Sequence, residues 1–328
     1  MRVAVLDDWQ RAARKSADWS VLTSRQIEVS FFSGPLAPED KAVAALADYE
    51  ILVAMRERMV FPESLIAKLP ALRLISLTGR RSPVLDLEAC TRRGVLVCNT
   101  GGELSSAATA ELALGLLIGA MRQVPAADAA VRAGRFQTRV GAGMVLEGRT
   151  LGLIGLGRIG TKMARYGTAL GMRVLAWSPN LTAERAVAAG AEFVTKQVLL
   201  EEADAVSLHI VLSEKTRGLL GAADIARMKD GAVLVNTSRY PLVDGMALLA
   251  ALRARRIVAA LDVFPEEPLP AGHPLLDCPN TVFTPHLGYC TREVYAQFYR
   301  DSLENILAFL DGKPVRVMNE AALRQKVA

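Results

Sequence analysis

Arg239, Glu267 and His286 each lie just beyond a short apolar, β-branched run: Val233–Asn236, Val258–Val263 and Val282–Thr284. A guanidinium can hold a carboxylate through two parallel hydrogen bonds and polarise the carbonyl beside it, and an imidazole can protonate the oxygen on which charge develops. A carboxylate hydrogen-bonded to that imidazole favours its protonated form and raises its pKa. Together these groups suit hydride transfer to a 2-oxo acid, with Arg239 as anchor, His286 as acid and Glu267 as its partner. Each has an ordinary reading alone: Arg239 a surface charge, Glu267 a solvated turn residue before Pro268, His286 a buried imidazole. Their order after successive strands decides between the two. Of the three histidines, His273 sits in a proline-rich loop and His209 ends a strand nearer the middle of the same region.

A hydride needs a carrier, and Gly155-Leu-Gly157-Arg158-Ile159-Gly160 follows the apolar run Leu151–Ile154 and opens a helical stretch toward Gly171. Gly155 permits the tight turn, Gly157 lets the backbone approach a pyrophosphate, and Gly160 lets helix and strand pack closely. Such a turn binds NAD or NADP. The end of the next strand selects between them, and it reads Trp177-Ser178-Pro179-Asn180. Ser178 and Asn180 can bond a ribose without repelling a 2′-phosphate, and Arg185 stands several residues on, so the residues leave cofactor preference open.

The elements that must position these residues alternate in the β/α manner. Strands are expected at Val3–Leu6, Ile51–Val53, Leu74–Leu77 and Val95–Val97, then at Leu151–Ile154, Val174–Trp177, Ala205–His209, Ala232–Asn236, Val258–Val263 and Val282–Thr284. Ser105 to Met121 reads as a helix apolar nearly all round, Arg292 to Leu310 as a helix ending at Asp311-Gly312, and Lys313–Val315 as extended. The pattern predicts an α/β protein of two Rossmann-like, doubly wound parallel sheets, with the active site in the cleft between them. Residues 1–99 and 291–328 are expected to form a discontinuous substrate domain, and 100–290 the dinucleotide-binding domain.

At 328 residues and 51% hydrophobic content the chain can bury two cores, and its 5% aromatic fraction suits helices packed closely on parallel sheets. A net charge of +5 from 39 basic and 34 acidic residues, scattered without a basic tail, does not imply nucleic-acid binding. The N-terminus reads as a strand rather than a signal peptide, and Leu112–Met121 is about half a membrane span, so neither points to a membrane. Cys90, Cys98, Cys278 and Cys290 lack CxxC spacing, so no metal is expected and a cytoplasmic location is.

The chain resembles the D-isomer-specific 2-hydroxyacid dehydrogenase family, which includes glyoxylate/hydroxypyruvate reductases and phosphoglycerate dehydrogenases. The resemblance rests on Thr109-Ala-Glu111, Gly155–Gly160, His209–Thr216, Val235–Arg239, Ala260–Phe264, Glu267-Pro268 and Thr284–Gly288. It implies Arg239, Glu267 and His286 as the catalytic set. It places Thr237 and Asp262 at the nicotinamide end, although Asp262 could instead cap a turn, and sets Arg158, Ile159, His209 and Gly288 among the cofactor contacts. It also implies that the first domain, with the C-terminal tail, binds substrate through Gly79 and Arg80 together with Arg239.

The sequence departs from the family at three positions. Thr78-Gly79-Arg80-Arg81-Ser82-Pro83 has Arg81 where the pattern has a second glycine and Pro83 where it has Asp or Asn, and Tyr240 replaces the glycine after Arg239. The extra guanidiniums, with Arg56, could serve a second anionic group or simply lie at the surface. Two other functions share this architecture: a dinucleotide-sensing corepressor, against which the complete triad argues, and a formate or phosphite dehydrogenase. Formate enzymes of this kind carry Gln where Glu267 stands. The apolar helix Ser105–Met121 and the Ala-rich segment to Val131 exceed what one chain covers, so a homodimer is expected.

Overall fold

Apolar runs too short for helices, each closed by a charged or glycine-bearing turn, become parallel strands in the computed structural model, which describes Met1–Arg324. Residues 325–328, the end of the tail expected in the substrate domain, lie outside the described residues. The chain divides into two compact units: Met1–Leu104 with the segment from Cys290 onward, and Ser105–Tyr289.

The first unit holds β1 (Arg2–Val5), β2 (Glu28–Phe31), β3 (Ile51–Ala54), β4 (Leu74–Leu77) and β5 (Leu96–Asn99), in the order β2-β1-β3-β4-β5. β3 and β4 are buried along their whole length, which accounts for their uninterrupted apolar sequence. The helix Arg292–Leu310 begins on Thr291, whose hydroxyl accepts the Val294 N–H at 3.3 Å; such a cap contributes about 1 kcal/mol. Its buried Asn305 donates to Ser76 Oγ (3.0 Å) and to the Asn99 carbonyl (2.9 Å), fixing the helix to the ends of β4 and β5. Beyond the helix, Val317 pairs antiparallel with Cys98, while the Asn319 side chain accepts from Val97 N (2.8 Å) and donates to the Val95 carbonyl (3.0 Å). The tail thereby covers the edge of β5, which would otherwise expose unpaired backbone groups.

The second unit holds β6 (Thr150–Ile154), β7 (Arg173–Trp177), β8 (Glu192–Phe193), β9 (Ala205–Leu208), β10 (Val233–Asn236), β11 (Val258–Leu261) and β12 (Thr281–Phe283). Their order is β12-β11-β10-β9-β6-β7-β8, so the winding reverses at β6, between β7 and β9. Sequence patterning names six of these strands; the two-residue β8 is exposed at the edge and has no apolar run to reveal it. The helix Ser105–Met121 packs Ala113, Leu116 and Leu117 into a core shared with Leu151, Val233 and Ala260. The following helix, Val124–Arg132, leaves Val124 and Val131 exposed, with exposed Phe136 just beyond. Among the described residues no single helix is long and apolar enough to cross a membrane, although these two helices would pass together but for a 65° bend.

Candidate active site

The glycine turn sits where β6 hands over to the helix Arg158–Ala169. Gly155 has φ +99°, and a side chain there would begin 2.5 Å from the His209 carbonyl oxygen. A side chain at Gly160 would begin 2.0 Å from the Gly155 carbonyl oxygen, so only glycine lets helix and turn meet. Gly157 has open space around it and stands at the helix N-terminus without a side-chain cap. The unsatisfied N–H groups there suit an anionic phosphate, and the turn fits a dinucleotide.

His209 lies directly behind this turn, at the end of β9. Burial drives its pKa down to about 3; Nε2 lies 2.8 Å from Ser207 Oγ, and Nδ1 is shielded from solvent without a hydrogen-bond partner. Part of the residue still reaches the surface, but the ring stays neutral and is unsuited to supply a proton. His273 accepts the Leu275 N–H through Nδ1 and caps a short turn. Only His286, of the three, faces a carboxylate.

β10, β11 and β12 are neighbours in register, Asn236 beside Leu261 and Leu261 beside Phe283, so the loops that follow them start side by side. After β12, His286 takes a left-handed backbone (φ 54°), a conformation a non-glycine residue holds only when its surroundings impose it. Asp262, at the end of β11, supplies that imposition. One of its oxygens accepts from Thr284 Oγ1 (2.6 Å) and Leu287 N (2.7 Å), and the other accepts from Gly288 N (2.9 Å). His286 Nδ1 then lies 2.6 Å from Glu267 Oε2, whose other oxygen accepts the Phe264 N–H at 3.1 Å. After β10, Asn236 holds its turn by donating to the Arg239 carbonyl (3.0 Å) and accepting from Ser238 N (3.0 Å), and Arg239 Nη1 meets the Ser238 carbonyl at 2.5 Å.

Two expected cofactor contacts thus serve the protein's own frame. Asp262 is 1% exposed and spends both oxygens on the loop carrying His286, the turn-capping alternative, and burial raises its pKa against those hydrogen bonds. Gly288 gives its N–H to Asp262 and its carbonyl to Thr109 Oγ1 (2.9 Å), which makes it part of the same frame. Thr237 is buried, and its hydroxyl has no hydrogen-bond partner among the described residues, as a ligand-binding side chain would. Ser178 is half-buried and Asn180 exposed at the end of β7. Sequence reasoning passed over Tyr289, whose ring meets the His286 ring edge-on at 6.0 Å; an aromatic following His-Leu-Gly was its only signal.

In the first unit, Gly79 follows β4, and its N–H goes to Thr100 Oγ1 at 2.7 Å. Arg56 lies across Gly79, its Cδ 2.8 Å from where a side chain would start. Arg80 pairs with Glu103 at 3.4 Å, both exposed. Tyr240, the unusual residue after Arg239, turns into the core of its own unit, with its hydroxyl 2.9 Å from where a side chain at Gly245 would start, so glycine at 245 makes room for it. The cysteines are free thiols, and burial pushes Cys90 and Cys98 up to about 12. Among the described residues no group of side chains could hold a metal ion.

Residues 114–288 match the family described as D-isomer specific 2-hydroxyacid dehydrogenase, NAD binding domain. The chain is 39% identical over 269 residues to a glyoxylate reductase of Aeropyrum pernix, covering 79% of this chain and 80% of that protein. It is 35% identical over 278 residues to a D-3-phosphoglycerate dehydrogenase of Archaeoglobus fulgidus, covering 84% of this chain but only 52% of that protein, and so spans about half its length. Among solved structures, a putative D-3-phosphoglycerate dehydrogenase oxidoreductase from Ralstonia solanacearum is similar at a TM-score of 0.92 and 40% identity, over 98% of both chains. The motifs, the two parallel sheets and these likenesses agree: the chain belongs to the D-isomer specific 2-hydroxyacid dehydrogenase family, nicotinamide-dependent oxidoreductases of small 2-oxo and 2-hydroxy acids.

Proposed function

We propose that the chain interconverts a small 2-oxo acid and its D-2-hydroxy acid with Arg239, Glu267 and His286 as the catalytic set. The supporting observation is His286 itself, joined to Glu267 at 2.6 Å and held by the Asp262 frame in a left-handed backbone. When bound, the nicotinamide supplies or accepts the hydride. In reduction Arg239 holds the substrate carboxylate and draws on the carbonyl oxygen. With Nδ1 committed to Glu267, the proton exchanged with that oxygen is the one on Nε2 of His286, given in reduction and taken back in oxidation. Asp262 acts through His286 by fixing its loop.

The seven-stranded unit is assigned the cofactor, with the pyrophosphate over Gly155, Gly157, Arg158, Ile159 and Gly160, the adenosine ribose by Ser178 and Asn180, and Thr237 toward the nicotinamide. His209 backs the glycine turn. The five-stranded unit, residues 1–99 with the segment from 291, is assigned substrate selection through the loop that carries Gly79, Arg80 and Arg81. The exposed apolar side chains Val124, Val131 and Phe136 support a homodimer.

Steady-state reduction of glyoxylate, hydroxypyruvate, pyruvate and bulkier 2-oxo acids, with NADH and with NADPH, tests this reading. Turnover of at least one acid, with a preference set by side-chain size, is expected. Cofactor binding with no turnover of any of them would sink it in favour of a dinucleotide-sensing protein.

A further inference from the structure

At the carboxyl edge of β7 the chain turns back on itself. Leu181 N donates to the Ser178 carbonyl (3.2 Å), and Thr182 then caps the short helix Ala183–Ala188 by accepting from Arg185 N at 3.3 Å. That turn brings Arg185 back over the strand end, with Nη1 3.3 Å from the Asn180 carbonyl. A guanidinium five positions beyond Asn180 in sequence thus reaches back to it in space.

The charge on Arg185 is not neutralised by its surroundings. Among the described residues it has no ion pair, whereas Arg173, at the other end of the same strand, is paired with both Glu192 and Glu202. The adjacent Glu184 is turned toward the Thr182 hydroxyl and its own backbone N–H, which hold its pKa below the usual range. Asn180 is exposed, and neither its side chain nor the Ser178 hydroxyl is committed to a hydrogen bond among the described residues. The strand end therefore offers a cation and two neutral hydrogen-bonding side chains, and no acid at positions 177–180.

β7 lies next to β6 in the sheet, and β6 carries the glycine turn. In this topology a dinucleotide with its pyrophosphate over that turn places the adenosine ribose at the end of the neighbouring strand. An acid there accepts hydrogen bonds from both ribose hydroxyls and repels a phosphate; a guanidinium does the opposite. We propose that Arg185, with Ser178 and Asn180, forms a subsite for the 2′-phosphate of the cofactor, so that this chain selects NADPH over NADH. The proposal rests on the assignment of the glycine turn to a dinucleotide.

Calorimetric titration of the full chain with adenosine 2′,5′-bisphosphate and with 5′-AMP, and fluorescence titration with NADPH and with NADH, at about 0.15 M salt, test it without reference to turnover. The wild type should bind the 2′-phosphorylated member of each pair about tenfold or more tightly. Arg185→Ala should bring both ratios close to one, and Arg185→Lys should keep part of the preference. Because Arg185 is exposed, an unchanged circular dichroism spectrum and melting temperature are expected for both variants. Equal or reversed affinities in the wild type, or ratios untouched by Arg185→Ala, would overturn the subsite while leaving the glycine turn in place. Failure of all four ligands to bind would overturn the subsite together with the dinucleotide assignment beneath it.

Discussion

At the scale of single residues, the groups proposed for chemistry stand beyond the ends of β10, β11 and β12, which are neighbours in the sheet. Arg239, Glu267 and His286 could be chosen because an open parallel sheet gathers its ligands at the carboxyl edge, and strand ends can be read from apolar runs. For Asp262 the sequence leaves a nicotinamide contact and a turn cap both open, because the groups it holds lie 22 to 26 residues away and are brought to it by the pairing of β11 with β12. Arg185 leaves cofactor preference open in the sequence for a like reason, since only the capped turn returns it to Asn180. Asp7, just past β1, gave no sequence signal at all. Burial raises its pKa to about 6, opposed by the charge of Arg58 and a hydrogen bond from Trp9, and one of its oxygens is buried without a partner. A carboxyl whose folded pKa exceeds its unfolded value favours the folded state most at low pH, and that contribution fades as pH rises from about 4 through about 6. Asp7→Asn should therefore raise the melting temperature at pH 7 to 8, by an amount corresponding to about 1–3 kcal/mol, and remove the fall in stability between about pH 4 and about pH 6. Scanning calorimetry across that range decides it; a lower melting temperature at pH 7.5 for the variant would contradict the assignment.

At the scale of elements, what could be read depended on burial. β3, β4, β9 and β10 are buried at every position and announce themselves as apolar runs. β2 and β8 lie at sheet edges and have no continuous apolar run, and neither was named from the sequence. The tail helix keeps the bounds read from its pattern and its Asp-Gly stop, and the Thr291 cap fixes its start. The way the tail covers β5 was not legible, since one isolated backbone bridge at Val317 and the Asn319 side chain take the place of a regular strand. Asn319→Ala would leave the buried Val97 N–H and Val95 carbonyl without their partners, at a cost of roughly 2–3 kcal/mol. Urea unfolding should show that loss, with faster amide exchange at Val97 than in the wild type; exchange at Val97 as slow as before would show that the edge does not depend on Asn319.

At the scale of the whole molecule, the division into two parallel-sheet units follows from two runs of β/α alternation separated by one long apolar helix. Of the stretch from which a homodimer is expected, the unit's own core takes up much of Ser105–Met121, while Val124 and Val131 in the segment to Val131, and Phe136 just beyond it, are exposed. Sedimentation equilibrium at micromolar concentration should give twice the chain mass, and Val131→Asp with Phe136→Asp should give monomers that keep the fold. A wild type that sediments as a monomer throughout would contradict the dimer. Whether His286 carries the proton for hydride transfer is decided by single-turnover reduction of the 2-oxo acid that the wild type prefers, comparing wild type with His286→Gln at saturating cofactor and substrate. The variant should transfer hydride roughly 10²–10⁴-fold more slowly with the dissociation constant for the reduced cofactor nearly unchanged, whereas transfer at the wild-type rate in the variant would show that the proton comes from elsewhere.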